Sequence, residues 1–435
     1  MTKPIKGNAP RLDRRTFLGG SALGLASLAA ASSFPRPALA KQVKLTYWSP
    51  LDPKSNNARS KAETAMIELF TKSHPEITVE VQPVPWQVMG QQVIQAVMSG
   101  SGPDLAQLST TNLPDQVGAG TAAPLDDVVG KKWTQAEKDD FILPWDNTVY
   151  DGQKMAYYWN SLLNNEFWYL KTEVEGEIPG TWDGLQSFLT PLAKKQGKPG
   201  FLTGLSQQGN AIEFTDWLIP SFWACGAEYV TDTGEVGFLN ENGMKPFQWI
   251  LDMVKVHKLT PDNISALTRD NVLDAMKGRK ALSTILTSNI VASARSALGE
   301  DLGLARHPGP TGPCPAFAAG KFIMMTKSCR EQEAAGLFIE SMISKEAQLI
   351  NAKTAKELPA RKSVVADPWF ATHEAADLKF AMDYMADNPH FFKFPKKTDF
   401  LQTRLALAAQ QMMTGTPIKQ ALERVAADWD QARKA

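Results

Sequence analysis

Apolar and polar residues alternate from Lys44 to Trp48, the period-two pattern of a strand with one buried face. Ala62, Ala65, Met66, Leu69 and Phe70 then recur at helical spacing until His74-Pro75 stops the helix. Ile77-Thr78-Val79-Glu80-Val81 alternates again, residues 88–98 predict a second helix, and Gly100-Ser101-Gly102-Pro103 turns the chain into Asp104-Leu105-Ala106-Gln107-Leu108. Strand, helix and strand in repetition predict an open α/β sheet with helices on its faces. In such sheets a crevice lies beyond the carboxyl ends of the strands, so Trp48, Ser49, Ser109 and Thr110 are the first candidates for a binding wall.

The pattern resumes beyond Tyr157 with helical stretches at 182–193, 217–225, 244–257 and 271–276 and a β-prone run at 280–286. A Gly- and Pro-rich segment, 302–313, leads to a β-prone run at 321–326 and a helix at 331–344. Pro359-Ala360-Arg361 interrupts once more before an Ala-rich helical tail. Breaks near 157, 304 and 359 predict two lobes linked by three crossings: 41–157 plus 305–358 in an N-terminal lobe, and 158–304 plus 359–435 in a C-terminal lobe. A length of 435 residues suits that division, since one core seldom serves more than about 200 residues.

Charge changes the picture at the N-terminus. Lys3, Lys6, Arg11, Arg14 and Arg15 precede a mildly apolar stretch, 17–34, and Ala38-Leu39-Ala40, which predicts a removable export peptide over residues 1–40. Asp13-Arg14-Arg15-Thr16-Phe17-Leu18 resembles the twin-arginine signal, whose pathway carries folded passengers. The whole chain is neutral, with 46 basic and 46 acidic side chains; residues 1–40 hold six of the former and one of the latter, leaving a remainder of net charge −5. No field of that kind attracts nucleic acid or an anionic membrane. Cys225, Cys314 and Cys329 have no Cys-x-x-Cys spacing and predict no metal framework.

Several landmarks fall in an order that resembles the sugar-type extracellular solute-binding proteins of bacterial ABC importers, similar in layout to maltose-binding protein. They are Gly100-Ser101-Gly102-Pro103-Asp104, Pro124-Leu125-Asp126-Asp127, Pro179-Gly180-Thr181-Trp182-Asp183-Gly184-Leu185, Ala224-Cys225-Gly226-Ala227-Glu228, Gly278-Arg279-Lys280-Ala281-Leu282 and Leu358-Pro359-Ala360-Arg361. Phe167-Trp168-Tyr169-Leu170 departs from the Tyr-Asn-Lys usual at that point. The resemblance implies a two-lobed periplasmic-binding-protein fold of type II, each lobe an open mixed sheet flanked by helices. It also implies a monomeric periplasmic receptor that needs no cofactor and partners a membrane permease. Thr181 and Asp104 read as scaffold, the first as a helix cap and the second as a strand fixer.

A sugar cleft needs aromatic faces for stacking and polar groups to pair desolvated hydroxyls. Trp86, Tyr158, Asn160, Asp216, Trp217, Thr287 and Asn289 join Trp48, Ser49, Ser109 and Thr110 as candidates, because they stand at strand ends, at the first crossing, or where relatives make contacts. Arg361, after the third crossing, could clamp an acidic sugar bidentately or bridge the lobes as an ion pair; His307 and Lys393 could assist. Polyol, glycerol phosphodiester and polyamine ligands remain alternatives. An exported carbohydrate-active enzyme is the rival class, although the chain has no Gly-x-Ser-x-Gly, His-Glu-x-x-His or complete Gly-x-Gly-x-x-Gly.

Overall fold

The computed structural model describes residues 42–434, so the predicted export peptide lies outside the described residues. The first strands form as their pattern predicts. In β1 (Val43–Ser49) Leu45, Tyr47 and Ser49 are buried, and the strand pairs in parallel with β2 (Ile77–Pro83) and β3 (Leu105–Ser109). Helix Ala58–Ser73 joins β1 to β2. It starts where the Asn57 side chain accepts a hydrogen bond from Ser60 N at 2.9 Å and stops at His74, ahead of Pro75. Asp104 accepts from Thr46 N at 2.8 Å, tying the start of β3 to β1, which is the scaffold role expected of it.

A short hairpin, β4 (Val149–Tyr150) and β5 (Gln153–Lys154), precedes β6 (Tyr157–Leu163) and β7 (Glu166–Leu170). The remaining strands are β8 (Ser283–Leu286), β9 (Leu302–Arg306), β10 (Ala316–Met325) and β11 (Pro389–Phe391). One mixed sheet runs β11-β10-β3-β1-β2, with β6 also antiparallel to β10; the other runs β8-β7-β9, with both neighbours antiparallel to β7. Gly320 is required where β10 meets β6, because a Cβ there would sit 2.5 Å from Asn160 O. Helix Trp182–Gln196 begins at Thr181, whose hydroxyl accepts from Gly184 N at 3.2 Å, as its cap pattern predicts.

Two apolar cores follow the two sheets. Tyr47, Phe70, Trp159 and Phe338 lie in the first, and Trp168, Phe201, Trp217 and Trp429 in the second. The cores correct two of the three expected crossings. Tyr157–Leu163 belongs to the first sheet, so the chain leaves that lobe between Leu163 and Glu166, not at 157. Ala360, Val364, Phe370, Leu378 and Tyr384 also pack in the first core, so the last crossing follows Met385, not residue 359. Pro359 breaks local structure without ending a lobe, a distinction only packing makes. The three cysteines are free and buried.

Candidate functional site

A cleft of about 1320 Å³ separates the two sheets' ends and is lined from both lobes. The first lobe supplies Trp86 and Gly90 from helix Trp86–Met98, the turn Ser109–Asn112 after β3, Arg59, and Gly320-Lys321 of β10. The second supplies Glu213 and Asp216 from helix Ile212–Ala224, Arg269 at the start of helix Arg269–Lys277, Thr287 and Asn289 after β8, Phe400, Trp429 and Arg433. Asn164, on the first crossing, lies between them and accepts from the Thr287 hydroxyl at 3.3 Å.

Six of the expected site residues reach this cleft: Trp86, Ser109, Thr110, Asp216, Thr287 and Asn289. The other six do not, each for a visible reason. Trp48 is half-buried against the first lobe, its indole N–H donating to Gln82 Oε1 at 2.7 Å. Ser49 is fully buried and donates to Glu63 at 2.8 Å. Tyr158 and Trp217 are core residues; the indole of Trp217 meets the edges of Phe214 and Trp249 at 5.4 and 5.8 Å between centroids. Asn160 is buried, donating to Glu357 Oε2 at 2.9 Å and accepting from Lys321 N at 3.0 Å. Arg361 donates from Nε to Ile343 O at 2.6 Å, pairs with Asp140, and stacks over Trp133 and Phe141. It is a brace of the first lobe and touches neither the cleft nor the second lobe. His307 is buried, its pKa held down at about 3 by desolvation, and Lys393 donates to Val149 O at 2.8 Å outside the cleft.

Behind the first wall lies a network of paired charges. Glu357 is 2.9 Å from Lys321 Nζ and 2.8 Å from Arg59 Nε. Burial pushes its pKa up, but these two cations overcome that and hold it at about 2. Burial lowers Lys321 to about 8, and Arg59 adds to that shift. Glu63, deeper still, is raised to about 7 by burial against the hydrogen bonds of Ser49 and Tyr47.

The second wall is different. Glu213 is 4% exposed and neither carboxylate oxygen has a hydrogen-bond partner; burial drives its pKa well above the usual range. Asp216, one helical turn on, pairs with Arg269, yet burial still lifts it to about 6. Asn289 Oδ1 is likewise buried without a partner. Of these residues Glu213 and Arg269 escape a reading of the sequence by motif. Glu213 had one available signal, its position three residues before Asp216 on the same helix face. Arg59, Lys321 and Phe400 had none, because the fold alone carries them to the cleft.

Two lobes, joined by three crossings and facing each other over a ligand-sized cleft, define a binding protein that closes on a solute, with the type II periplasmic-binding-protein fold. Residues 54–349 match the family described as bacterial extracellular solute-binding protein, and the chain belongs to that family. Its members are solute receptors that act outside the cytoplasm. A Brucella abortus (strain 2308) chain, named only as a binding protein, is 24% identical over 342 residues, covering 76% of this chain and 78% of its own. Among solved structures, maltose-bound MalE3 of T. maritima aligns with a TM-score of 0.76 at 19% identity, covering 90% of this chain and 100% of the other. The GacH receptor of Streptomyces glaucescens, known unliganded and with acarbose, aligns with a TM-score of 0.76 at 20% identity, covering 90% and 99%.

Proposed function

We propose that the protein is the carbohydrate receptor of an ABC importer: it captures a mono- or oligosaccharide, or a sugar derivative, between its lobes and hands the closed complex to a membrane permease. The observation that carries this reading is the second wall's set of buried acceptors without donors. Glu213 and Asn289 Oδ1 call for a ligand that brings O–H or N–H groups. Trp86 and Phe400, partly exposed on opposite lobes, give apolar faces for sugar C–H surfaces. Among the described residues six basic and five acidic side chains line the cleft, so no single sign dominates, and no tyrosine is among them. This composition favours a neutral polyhydroxyl ligand over a polyamine. An acidic sugar loses its proposed clamp, since Arg361 is occupied elsewhere.

The ligand leaves as it arrived, without chemistry, and the receptor acts as a monomer without nucleic acid. Export runs through the twin-arginine pathway as a folded protein, on the strength of Arg14-Arg15 ahead of Phe17-Leu18. The deciding experiment is a thermal-shift screen of the mature protein against neutral sugars, polyols, acidic sugars, glycerol phosphodiesters and polyamines, because a ligand of the folded state raises its apparent stability. A neutral sugar is expected to raise Tm. A response confined to polyamines, or turnover of a bound sugar, would overturn the reading.

A further inference from the structure

Behind the hinge lies a second, smaller cavity of about 300 Å³ that also touches both lobes. Its position relative to the cleft follows from one short segment. Thr287 and Asn289 face the cleft, whereas Ser288 between them, and Val291 beyond, face the small cavity. The two spaces therefore lie on opposite sides of the hinge, and a rotation of rigid lobes that narrows the cleft must widen the rear.

The rear is tied by ion pairs that cross from one core to the other. Helix Val291–Leu298, packed in the second core, carries Arg295; helix Ala376–Asp387, packed in the first, carries Asp377. Arg295 grips Asp377 bidentately, Nε to Oδ2 at 3.0 Å and Nη2 to Oδ1 at 2.5 Å. Its remaining nitrogen, Nη1, donates at 2.8 Å to both Gly299 O and Leu302 O, so the guanidinium stays with the second lobe when the lobes part. Arg306 with Asp387 and His373 with Glu300 also cross between lobes, but their exposure leaves them weak.

Glu166, at the start of β7, lines the same cavity. It is fully buried; Oε2 accepts from Trp168 Nε1 at 3.1 Å, while Oε1 has no hydrogen-bond partner. A buried carboxyl with a vacant oxygen beside a guanidinium of its own lobe is an unusual economy unless the guanidinium can reach it in another conformation. We propose that Arg295 is a two-position latch: with the cleft open it holds Asp377 of the first lobe, and on closure it exchanges that partner for Glu166 of its own lobe. The first position favours the open receptor and the second keeps the arginine paired once the rear has opened. In the arrangement described burial raises the Glu166 pKa, and a guanidinium brought into hydrogen-bond contact on closure lowers it, any proton released passing to water. The idea rests on the receptor reading for the closing motion, but its test needs no ligand, so the two can fail separately.

The test is pulsed EPR on the mature ligand-free protein, with spin labels at Gln91→Cys and Thr233→Cys, both exposed on opposite cleft walls, the native cysteines being buried. Asp377→Asn is expected to raise the short-distance, closed population two- to fivefold, the worth of one partly exposed bidentate pair. Adding Glu166→Gln, isosteric with the protonated acid, is expected to bring that population back towards the parent's. An unchanged or lengthened distance in Asp377→Asn overturns the latch. So does a closed population that Glu166→Gln leaves untouched, provided that thermal melts show both variants folded.

Discussion

The two walls of the cleft each bury carboxylates, and they treat them in opposite ways. Behind the first wall Glu357 is enclosed by Lys321, Arg59 and Asn160, and its charge is fully answered within the protein. On the second wall Glu213 is also buried, and although the Arg269 charge acts on it, neither of its oxygens has a hydrogen-bond partner. A satisfied network fixes a shape; an unsatisfied group at a cleft stores a preference for whatever completes it. The network behind the first wall accordingly acts as scaffold, whereas Glu213 on the second wall is left without a hydrogen-bond partner, although residue types and depth are alike.

The largest effect should come from breaking the first network. Glu357→Gln leaves Lys321 buried beside a neutral amide, and urea unfolding should record a loss of about 3–5 kcal/mol. The same carboxylate sets an acid limit. Its folded pKa, about 2, lies below the unfolded value, so its stabilisation is complete above the ordinary carboxylate range and disappears as pH falls towards 2. A variant unfolding with the parent's midpoint and acid profile would show that the network is ornament.

Glu213→Ala should do the reverse. Stability holds or rises, because an unpaired buried acid is gone, whereas calorimetric titration with whichever sugar raises Tm should show affinity lower by about 1.5–3 kcal/mol. Equal losses of stability and affinity would erase the contrast between the walls. Arg361→Ala sharpens it from the side of the first lobe. Removing a buried brace between Ile343, Asp140 and two aromatic rings should cost about 1–3 kcal/mol in unfolding and leave sugar affinity alone. The smallest change is expected of Trp86→Ala, which sits half-exposed at the rim: affinity falls by about 0.5–1.5 kcal/mol with an unaltered Tm.

How legible this was in the sequence differs between fold and site. The alternation at Lys44–Trp48, the apolar helical stripe from Ala62 to Phe70 and the cap at Thr181 are local signals, and each produced the element it announces. The crossings were less legible. Tyr157–Leu163 and residues 360–385 look like second-lobe segments along the chain, and only their packing against Tyr47, Phe338 and their neighbours shows otherwise. Among candidate site residues, Ser109, Thr110, Thr287 and Asn289 were found because strand ends announce themselves. Trp217 and Arg361 misled because an indole or a guanidinium looks the same in sequence whether it faces a cleft or a core.

By itself the sequence determined the alternating α/β elements, the two-lobed class and the balance of charge, because periodicity, caps and composition act over a few residues or over the whole chain. Tertiary structure alone decided where the chain changes lobes, which carboxylates are answered and which are left waiting, and that Arg295 and Asp377 meet behind the hinge. These depend on groups far apart in the chain, whose desolvation and pairing exist only once both cores have formed.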